Sequence, residues 1–302
     1  MIYVYERLTI GLGDGIMLRA GINANIAKFP LAKHIIHGHP SILPIFADMP
    51  IEVVPFNQHR YSMRQAASRL HCQSSYPHYT LYELSRPCAT YESENAPMLC
   101  NNGRYERTGR HILLSRQQIW CDVIGVPFDM DNYKVRFFEA EESYAHAVLK
   151  KYPDPIIVHA GANDKNRNYT KMHYLIEYVA RRWGNVIVID KEYRYNGLLR
   201  NVYSLMEKDI RKIWCLIAHS RLLVGIDSFG IHAAGSAGID TYGIFGMTDP
   251  ECRMLYPKAH YSPPYDKCPY QYCWYQPCKD KPCINRRSPA FYWQDIKGKV
   301  GL

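Results

Sequence analysis

Short, mainly apolar runs alternate with helical patterns along the second half of the chain, and this alternation constrains the fold most. The runs lie at 156–158, 186–189, 222–226 and 241–245. Helical periods separate them, such as the one that starts at Thr170 and stops at Gly184. Strands without polar alternation are buried on both faces, and a helix between two of them makes a right-handed βαβ unit. The second half therefore predicts a parallel, Rossmann-like α/β sheet.

The first half starts in a similar way. A strand within 2–10 leads into a glycine-rich tight turn at 11–15 and then into a helix over 16–29. Residues 57–110 are rich in Tyr, Ser, Asn, Arg and Pro, which predicts an irregular insertion rather than a core element. The other predicted elements of this half are two strands and two helices, at 34–36, 51–54, 117–123 and 139–151.

The length of 302 residues is enough for two domains that each bury a core. Pro153 and Pro155 follow the last predicted helix of the first half and mark the linker, because neither can continue a helix. We therefore expect one domain over 1–152 and a second over 153–302.

The charge balance favours polyanionic partners. Lys and Arg number 37 against 28 Asp and Glu, a formal net charge of +9. Nucleic acid, a phosphorylated glycolipid, an anionic membrane face and nucleotides all fit such an excess. No stretch approaches the ~20 apolar residues of a membrane span, and the start lacks a signal-peptide pattern. We expect a cytoplasmic protein, with peripheral contact at the inner face of the membrane as a further interpretation.

The turn at 11–15 reads Gly-Leu-Gly-Asp-Gly and lies between a strand and a helix. Glycines there, including Gly13, allow a sharp turn and close approach of a ligand to the helix N-terminus. Asp14 has two interpretations from the motif alone, as the N-cap of the helix or as a catalytic carboxylate.

Two motifs follow strands of the second half. Residues 227–232 read Asp-Ser-Phe-Gly-Ile-His and begin a helix at the carboxyl edge of the sheet, where parallel sheets bind ligands. Ser228 and His232 are four residues apart and share a helix face. The motif has two interpretations, a binding site for a diphosphate or a capped helix with a histidine in the core. Residues 245–250 read Phe-Gly-Met-Thr-Asp-Pro, in which Thr248 or the next residue caps a helix.

A third motif, the loop at 159–169, follows the first strand of the second half. It reads His-Ala-Gly-Ala-Asn-Asp-Lys-Asn-Arg-Asn-Tyr. Its small residues, such as Gly161, permit close approach, and Lys165 and Arg167 can neutralise a phosphate. A solvated basic loop is the alternative interpretation.

In their order along the chain, these motifs resemble the ADP-heptose:lipopolysaccharide heptosyltransferase family. The resemblance covers about residues 1–55 and 115–285. It implies an inverting glycosyltransferase of the GT-B class, an α/β fold in which two Rossmann-like domains with parallel sheets face each other across a cleft. By this resemblance, 1–152 binds the acceptor and 153–302 binds the nucleotide sugar.

The resemblance also implies roles for residues. Asp14 takes the place of the general base. In the family, a basic residue that contacts the donor phosphates stands two residues before an aromatic one. Arg167 has this position relative to Tyr169, and Lys165 competes for the role.

The family's nucleotide-diphosphate element implies that Asp227, Ser228 and His232 bind the donor. Phe229 stands where glycine is usual and Gly230 follows it, which alters how closely the backbone can approach the phosphates. No metal is required for catalysis on this reading, since fixed cations and helix dipoles replace it. The nucleotide sugar is the co-substrate and the acceptor is anionic, a glycolipid or DNA.

Four of the ten cysteines recur every five residues near the C-terminus, at Cys268, Cys273, Cys278 and Cys283. Relatives of the family also carry a Cys-rich segment here, usually with tighter spacing. Four thiolates can close a structural zinc site, and free thiols or disulfides are the alternatives.

Three functions stay open at this point. The first is transfer of a sugar to a cell-envelope glycan of the lipopolysaccharide kind. The second is glycosylation of a hydroxylated or hydroxymethylated base in DNA, which the net charge and the Tyr- and Arg-rich stretch at 57–110 favour. The third is a non-catalytic module that binds nucleotide sugars.

Overall fold

A computed structural model describes residues 1–56, 60–76, 78–95, 112–190, 192, 194–263, 265, 273 and 282–302, with the backbone of 98–99 and 105–106. Packing divides the chain into unit 1, at 1–94 and 114–136, and unit 2, at 95–113 and 137–302. The helix at 139–151 belongs to unit 2 by its packing, whereas the proline pair predicts a boundary after it.

Unit 1 is a parallel sheet with helices. Its strands are β1 (Ile2–Arg7), β2 (Lys33–Gly38), β3 (Glu52–Pro55) and β4 (Thr80–Glu83). Its helices are α1 (Leu12–Lys28), α2 (Tyr61–Ser75), α3 (Pro87–Asn95) and α4 (Arg116–Ile124), with short 3-10 turns at Leu43–Phe46 and Met130–Tyr133. The strand order is β3-β2-β1-β4.

The helix α1 begins earlier than its sequence predicts. We expected a tight turn over 11–15 and a helix from residue 16, but α1 starts at Leu12 with Gly11 as its N-cap. The glycines do not break the helix because glycine keeps its N–H donor and costs a helix only about 1 kcal/mol per residue in backbone entropy, and the Gly15 N–H donates to the oxygen of Gly11.

The stretch 57–110 is not wholly irregular, which corrects the sequence-based expectation. It contains α2, β4 and α3, and β4 completes the sheet by pairing in parallel with β1. The pattern of α2 is weak because Ser68 and Cys72 are its only buried residues. The strand β4 has four residues and no apolar run, so neither element has a strong signature.

Buried polar side chains lie in the interior of unit 1. Glu6 on β1 and His37 on β2 are fully buried neighbours in the parallel register. Nδ1 of His37 is 2.8 Å from the hydroxyl of Ser68 on α2. Burial lowers the pKa of His37 to about 4, and the neighbouring His71 acts in the same direction.

Unit 2 has a larger parallel sheet and a small hairpin. The hairpin pairs β5 (Met98–Leu99) with β6 (Tyr105–Glu106). The sheet contains β7 (Ile156–His159), β8 (Val186–Ile189), β9 (Val202–Ser204), β10 (Leu222–Ile226), β11 (Thr241–Ile244) and β12 (Ala259–Tyr261). Its helices are α5 (Glu139–Lys151), α6 (Met172–Ala180), α7 (Ile210–Ala218), α8 (Phe229–Ser236), α9 (Pro282–Asn285) and α10 (Pro289–Val300).

The four apolar runs of the second half all form strands of this sheet, as predicted. The strand order is β12-β11-β10-β7-β8-β9, and every neighbouring pair is parallel. The buried side chains of β7, β8, β10 and β11 pack against helices such as α6, whose predicted apolar face is buried at Met172, Leu175, Ile176 and Val179. The prediction of an α/β protein with parallel sheets in both halves is confirmed.

No helix in the described part of the chain is long and apolar enough to cross a membrane.

Candidate functional site

The sheet of unit 2 reverses its direction of winding between β7 and β10. These strands are neighbours, and Gly225 on β10 pairs with His159 on β7. Loops after two such strands diverge to opposite sides and leave a crevice at the carboxyl edge, where open α/β sheets bind ligands. The predicted motifs at 159–169 and 227–232 begin at this crevice.

Arg167 and Asp227 join these two loops. Nη1 of Arg167 donates to the backbone oxygen of Asp227 across 2.6 Å and lies 3.7 Å from its carboxylate Oδ2. The hydroxyl of Thr248, from the loop after β11, donates to the same Oδ2 across 2.7 Å. The structure thus brings three predicted donor-binding residues to one point. Lys165 is exposed, in a 3-10 turn with Arg167.

The carboxylate of Asp227 is held in its charged form. Burial alone would raise its pKa, but the positive charges of Arg253 and Arg167 and the hydrogen bond from Thr248 hold the pKa below its ordinary value. Two guanidinium groups, those of Arg253 and Arg167, thus lie near this carboxylate at the sheet edge. A diphosphate is the kind of group that such a centre attracts.

The start of α8 is built around His159. Ser228 is the N-cap residue, half-buried and in extended conformation, and its side chain makes no capping bond. The amide of Gly230 donates to Nδ1 of His159 across 3.0 Å. Phe229, which replaces the usual glycine, is buried with its ring edge-on to His159. The Gly230 amide at the start of α8 is therefore engaged within the protein.

His232 is buried one turn further along α8. It is 3% exposed, and its Nδ1 is 3.1 Å from the hydroxyl of Tyr256. Asp249 caps the 3-10 turn at Pro250–Cys252 by accepting from the amide of Glu251, which confirms the predicted start of a helical turn after Thr248.

Asp14 in unit 1 lies between two arginines. Its Oδ2 is 2.7 Å from Nη2 of Arg7 and its Oδ1 is 2.7 Å from Nη1 of Arg116. It is the third residue of α1, after Gly13, so the interpretation as N-cap is wrong. The side chain is 16% exposed, which leaves part of the carboxylate accessible to a substrate.

The two arginines have different surroundings. Arg7 is buried, and burial lowers its pKa although Asp14 opposes the shift. Burial disfavours the charge of Arg116 too, but Asp14 and Glu92 outweigh it and hold its pKa well above the ordinary value. Arg116 also makes a two-pronged ion pair with Glu92, at 2.8 and 2.7 Å. These two ion pairs therefore fix the orientation of the Asp14 carboxylate.

Sequence reasoning did not find several of these residues. Arg7, Arg116 and Glu92 around Asp14 come from distant segments, and single arginines in the sequence carry no signal of such a contact. Arg253 beside Asp227 is missed for the same reason. The sequence does indicate His159, because this residue ends a buried strand and precedes a loop of small residues.

The predicted cysteine cluster can be followed only in part. Cys268 and Cys278 lie outside the described residues. Cys273 and Cys283 are both buried. Sγ of Cys283 packs against Gly246, where an added Cβ would come within 2.8 Å of it. The C-terminal segment that contains Cys283 thus contacts the motif at 245–250. Zinc binding by the four cysteines stays a prediction.

The two units together define a class: α/β proteins with paired Rossmann-like parallel sheets and loops gathered at their carboxyl edges. Within this class the fold is that of the GT-B-like heptosyltransferases. Over 99% of this chain and 98% of the other, it is similar to ADP-heptose LPS heptosyltransferase II of Escherichia coli, at 14% identity and a TM-score of 0.69. The resemblance in sequence motifs is therefore confirmed at the level of the fold.

Two further solved structures have the same fold. A family 9 glycosyl transferase from Veillonella parvula matches 99% of this chain and 97% of its own, at 11% identity and a TM-score of 0.73. The iron-containing dodecameric glycosyltransferase TibC of enterotoxigenic E. coli matches 99% of this chain and 78% of its own, at 12% identity and a TM-score of 0.62. No family model and no curated protein sequence matches the chain.

Proposed function

We propose that this protein is an inverting glycosyltransferase that moves a sugar from a nucleotide-sugar donor to a hydroxyl of a cell-envelope, lipopolysaccharide-like glycan. The observation that carries the proposal is the combination of a heptosyltransferase fold over 99% of the chain with a carboxylate at Asp14 that two arginines orient. In our proposal unit 1 supplies the base and unit 2 binds the donor.

Asp14 acts as general base in this reaction. It takes the proton of the acceptor hydroxyl while that oxygen attacks the anomeric carbon of the donor sugar. The bond from this carbon to the diphosphate oxygen breaks, and the electron pair leaves with the diphosphate. Attack from the face opposite the leaving group inverts the anomeric configuration. The ion pairs with Arg7 and Arg116 support this role because they fix the orientation of the carboxylate.

Charge that develops on the departing diphosphate meets Arg167, the Ser228 hydroxyl and the first amides of α8. His232 contributes from the same helix. The supporting observation is the convergence of Arg167, Asp227 and Thr248 at the carboxyl edge of the sheet. Asp227 is a positioning residue in this scheme, since its buried carboxylate holds the arginine and the threonine in place.

We propose that the donor is an ADP-sugar, because E. coli heptosyltransferase II is described as an ADP-heptose enzyme. We also propose that no catalytic metal takes part. TibC is described as iron-containing, so this second point needs its own test. We propose a cytoplasmic location with peripheral contact to the inner membrane face, where a glycolipid acceptor is accessible.

The test is a transfer assay with the purified protein. ADP-heptose, ADP-glucose, UDP-glucose and GDP-mannose are each offered with a truncated lipopolysaccharide acceptor, with and without EDTA. We expect ADP release and acceptor glycosylation with an ADP-sugar, unchanged by EDTA. Loss of turnover with EDTA, restored by a metal, would overturn the metal-independent mechanism and leave the transfer reaction standing.

Duplex DNA with 5-hydroxymethylcytosine is the second acceptor in the same assay. The net charge of +9 is the observation that favours it. Transfer to this DNA alone would replace the glycan as acceptor. Donor binding without transfer or hydrolysis on any acceptor would indicate a non-catalytic module.

A further inference from the structure

Helices α5 and α7 of unit 2 each carry two metal-ligating side chains one turn apart. On α5 these are Glu142 and His146, and on α7 and its C-cap they are Cys215 and His219. Residues four apart lie on the same face of a helix, and these two helices pack against each other. The packing brings the two pairs together.

The geometry is close to that of a metal site. Nε2 of His219 is 2.7 Å from Oε2 of Glu142, and the ligand atoms of Glu142, Cys215 and His219 all lie within 4.8 Å of one another. Zinc bonds of about 2.0–2.3 Å in a tetrahedron place ligand atoms about 3.3–3.8 Å apart. Within the described part of the chain, no other group of three such side chains approaches this arrangement.

His146 lies beside the three and is the fourth donor. Its ring centroid is 5.4 Å from that of His219, with 43° between the ring planes. His146 is exposed and one turn beyond Glu142 on the same helix. His146 thus lies next to His219, on the side of the group that is open to solvent.

Burial differs among the ligands in a way that suits a cation from solvent. Cys215 is fully buried and forms the floor, while the side chains of His219 and Glu142 are 38% and 35% exposed.

The alternative interpretation is an ion pair between Glu142 and His219, with the Cys215 thiol hydrogen-bonded to Glu142 and the ring of His146 against His219. The set of two imidazoles, one thiol and one carboxylate matches zinc, which accepts nitrogen, sulfur and oxygen ligands in a tetrahedron. We propose that Glu142, His146, Cys215 and His219 bind one zinc ion that joins α5 to α7. This site is separate from the predicted cysteine cluster at 268–283 and independent of the proposed transfer reaction.

The experiment measures how many metal ions the purified protein binds per chain. The protein is reduced, stripped with a chelator and titrated with Co²⁺, whose d–d bands report tetrahedral coordination and whose near-ultraviolet band reports a thiolate ligand. Zn²⁺ then displaces Co²⁺, and metal analysis after dialysis gives zinc per chain. Any zinc held by the tail cysteines remains constant across the series below, so the difference between variants isolates this site.

We expect His219→Asn and Cys215→Ser each to lose one equivalent of zinc, and the thermal stabilisation by Zn²⁺ to fall with it. His146→Asn should weaken zinc affinity at least tenfold. Matched controls are His173→Asn, an exposed helical histidine, and Cys121→Ser, a buried helical cysteine of unit 1. Both should keep the zinc content of the unaltered protein.

Zinc content unchanged in His219→Asn would overturn the proposal, and so would equal losses in the controls. Circular dichroism verifies that each variant is folded. If Cys215→Ser does not fold, the exposed His219 and His146 variants decide the matter, because neither side chain is part of the core.

Discussion

The amide of Gly230 donates to Nδ1 of His159 across 3.0 Å, and this bond joins the start of α8 to the end of β7, 71 residues apart in the sequence. Because Nδ1 accepts, a neutral His159 carries its proton on Nε2. A Cβ at position 230 would lie 2.7 Å from Nδ1, so the bond requires glycine here. The glycine displaced by one position relative to the family pattern thus has a structural function of its own.

Gly230→Ala should therefore destabilise unit 2 by about 1–3 kcal/mol, the usual range for overpacking a core. It should also weaken ADP binding, since the start of α8 has to shift. Gly298→Ala is the matched control, because a Cβ there meets nothing within 4 Å. The control should gain a few tenths to about 1 kcal/mol from helix propensity. Urea unfolding measures both, and equal stabilities would contradict the close packing of Gly230.

Asp14→Asn should lower the rate of transfer by about 10²–10⁴-fold, the usual contribution of a general base. ADP affinity should not change, because Asp14 and the donor motifs belong to different units. Asp131→Asn, an exposed carboxylate of the same unit, should retain full activity. Single-turnover kinetics and calorimetric ADP titration provide the two readouts. A near-normal rate for Asp14→Asn would reject Asp14 as the base.

Arg167→Gln should weaken ADP binding about 10–100-fold, because a hydrogen bond to a charged group contributes about 1.5–3 kcal/mol. Lys165→Ala tests the competing residue of the same turn, and we expect a smaller effect because Lys165 is exposed whereas Arg167 is anchored on Asp227. Calorimetry compares the two variants at one salt concentration. A larger loss for Lys165→Ala would reverse the assignment.

The buried His37 should make unit 1 sensitive to acid. Its pKa is about 4 in the folded state against 6.5 when unperturbed, so the unfolded chain takes up a proton first as the pH falls. This contribution to stability is complete above pH 6.5 and decreases down to about pH 4, by about 3 kcal/mol at 1.36 kcal/mol per pKa unit.

His37→Asn removes this titration. Its loss of unfolding free energy between about pH 7.5 and about pH 4.5 should be smaller than that of the unaltered protein by roughly 2–3 kcal/mol. Denaturant unfolding at each pH measures the difference. The matched control is His78→Asn, an exposed histidine of the same unit, which should leave the pH dependence nearly intact. Identical pH dependence in His37→Asn would contradict burial of a neutral imidazole.

The sequence predicts the strands that are apolar throughout and misses those that are not. The runs at 156–158 and 222–226 are buried on both faces, so their composition alone identifies them. The edge strands β9 and β12 have three residues each, too few for any periodicity to emerge. The helix α2 buries a serine and a cysteine rather than an apolar stripe, so the pattern of its residues does not indicate a helix.

The residues of the candidate site likewise fall into those that a local sequence pattern indicates and those that only the fold brings together. Asp14 and Arg167 are found from motifs because local turn and loop chemistry surrounds them. The contact of Asp14 with Arg116 spans 102 residues and depends on how α4 packs on α1. No local pattern encodes such a contact, so the partners of the carboxylate become visible only in the folded unit.

Arg116 is shared between two carboxylates, those of Asp14 and Glu92, and Glu92 belongs to a stretch that looks irregular in the sequence. Removing Glu92 would take away the carboxylate that anchors Arg116 on its other side, so the arginine would hold Asp14 less firmly. Substitutions in α3 can therefore disturb the orientation of the proposed base without altering any residue proposed to contact a substrate. In this sense α3 is a brace for a carboxylate that belongs to another helix.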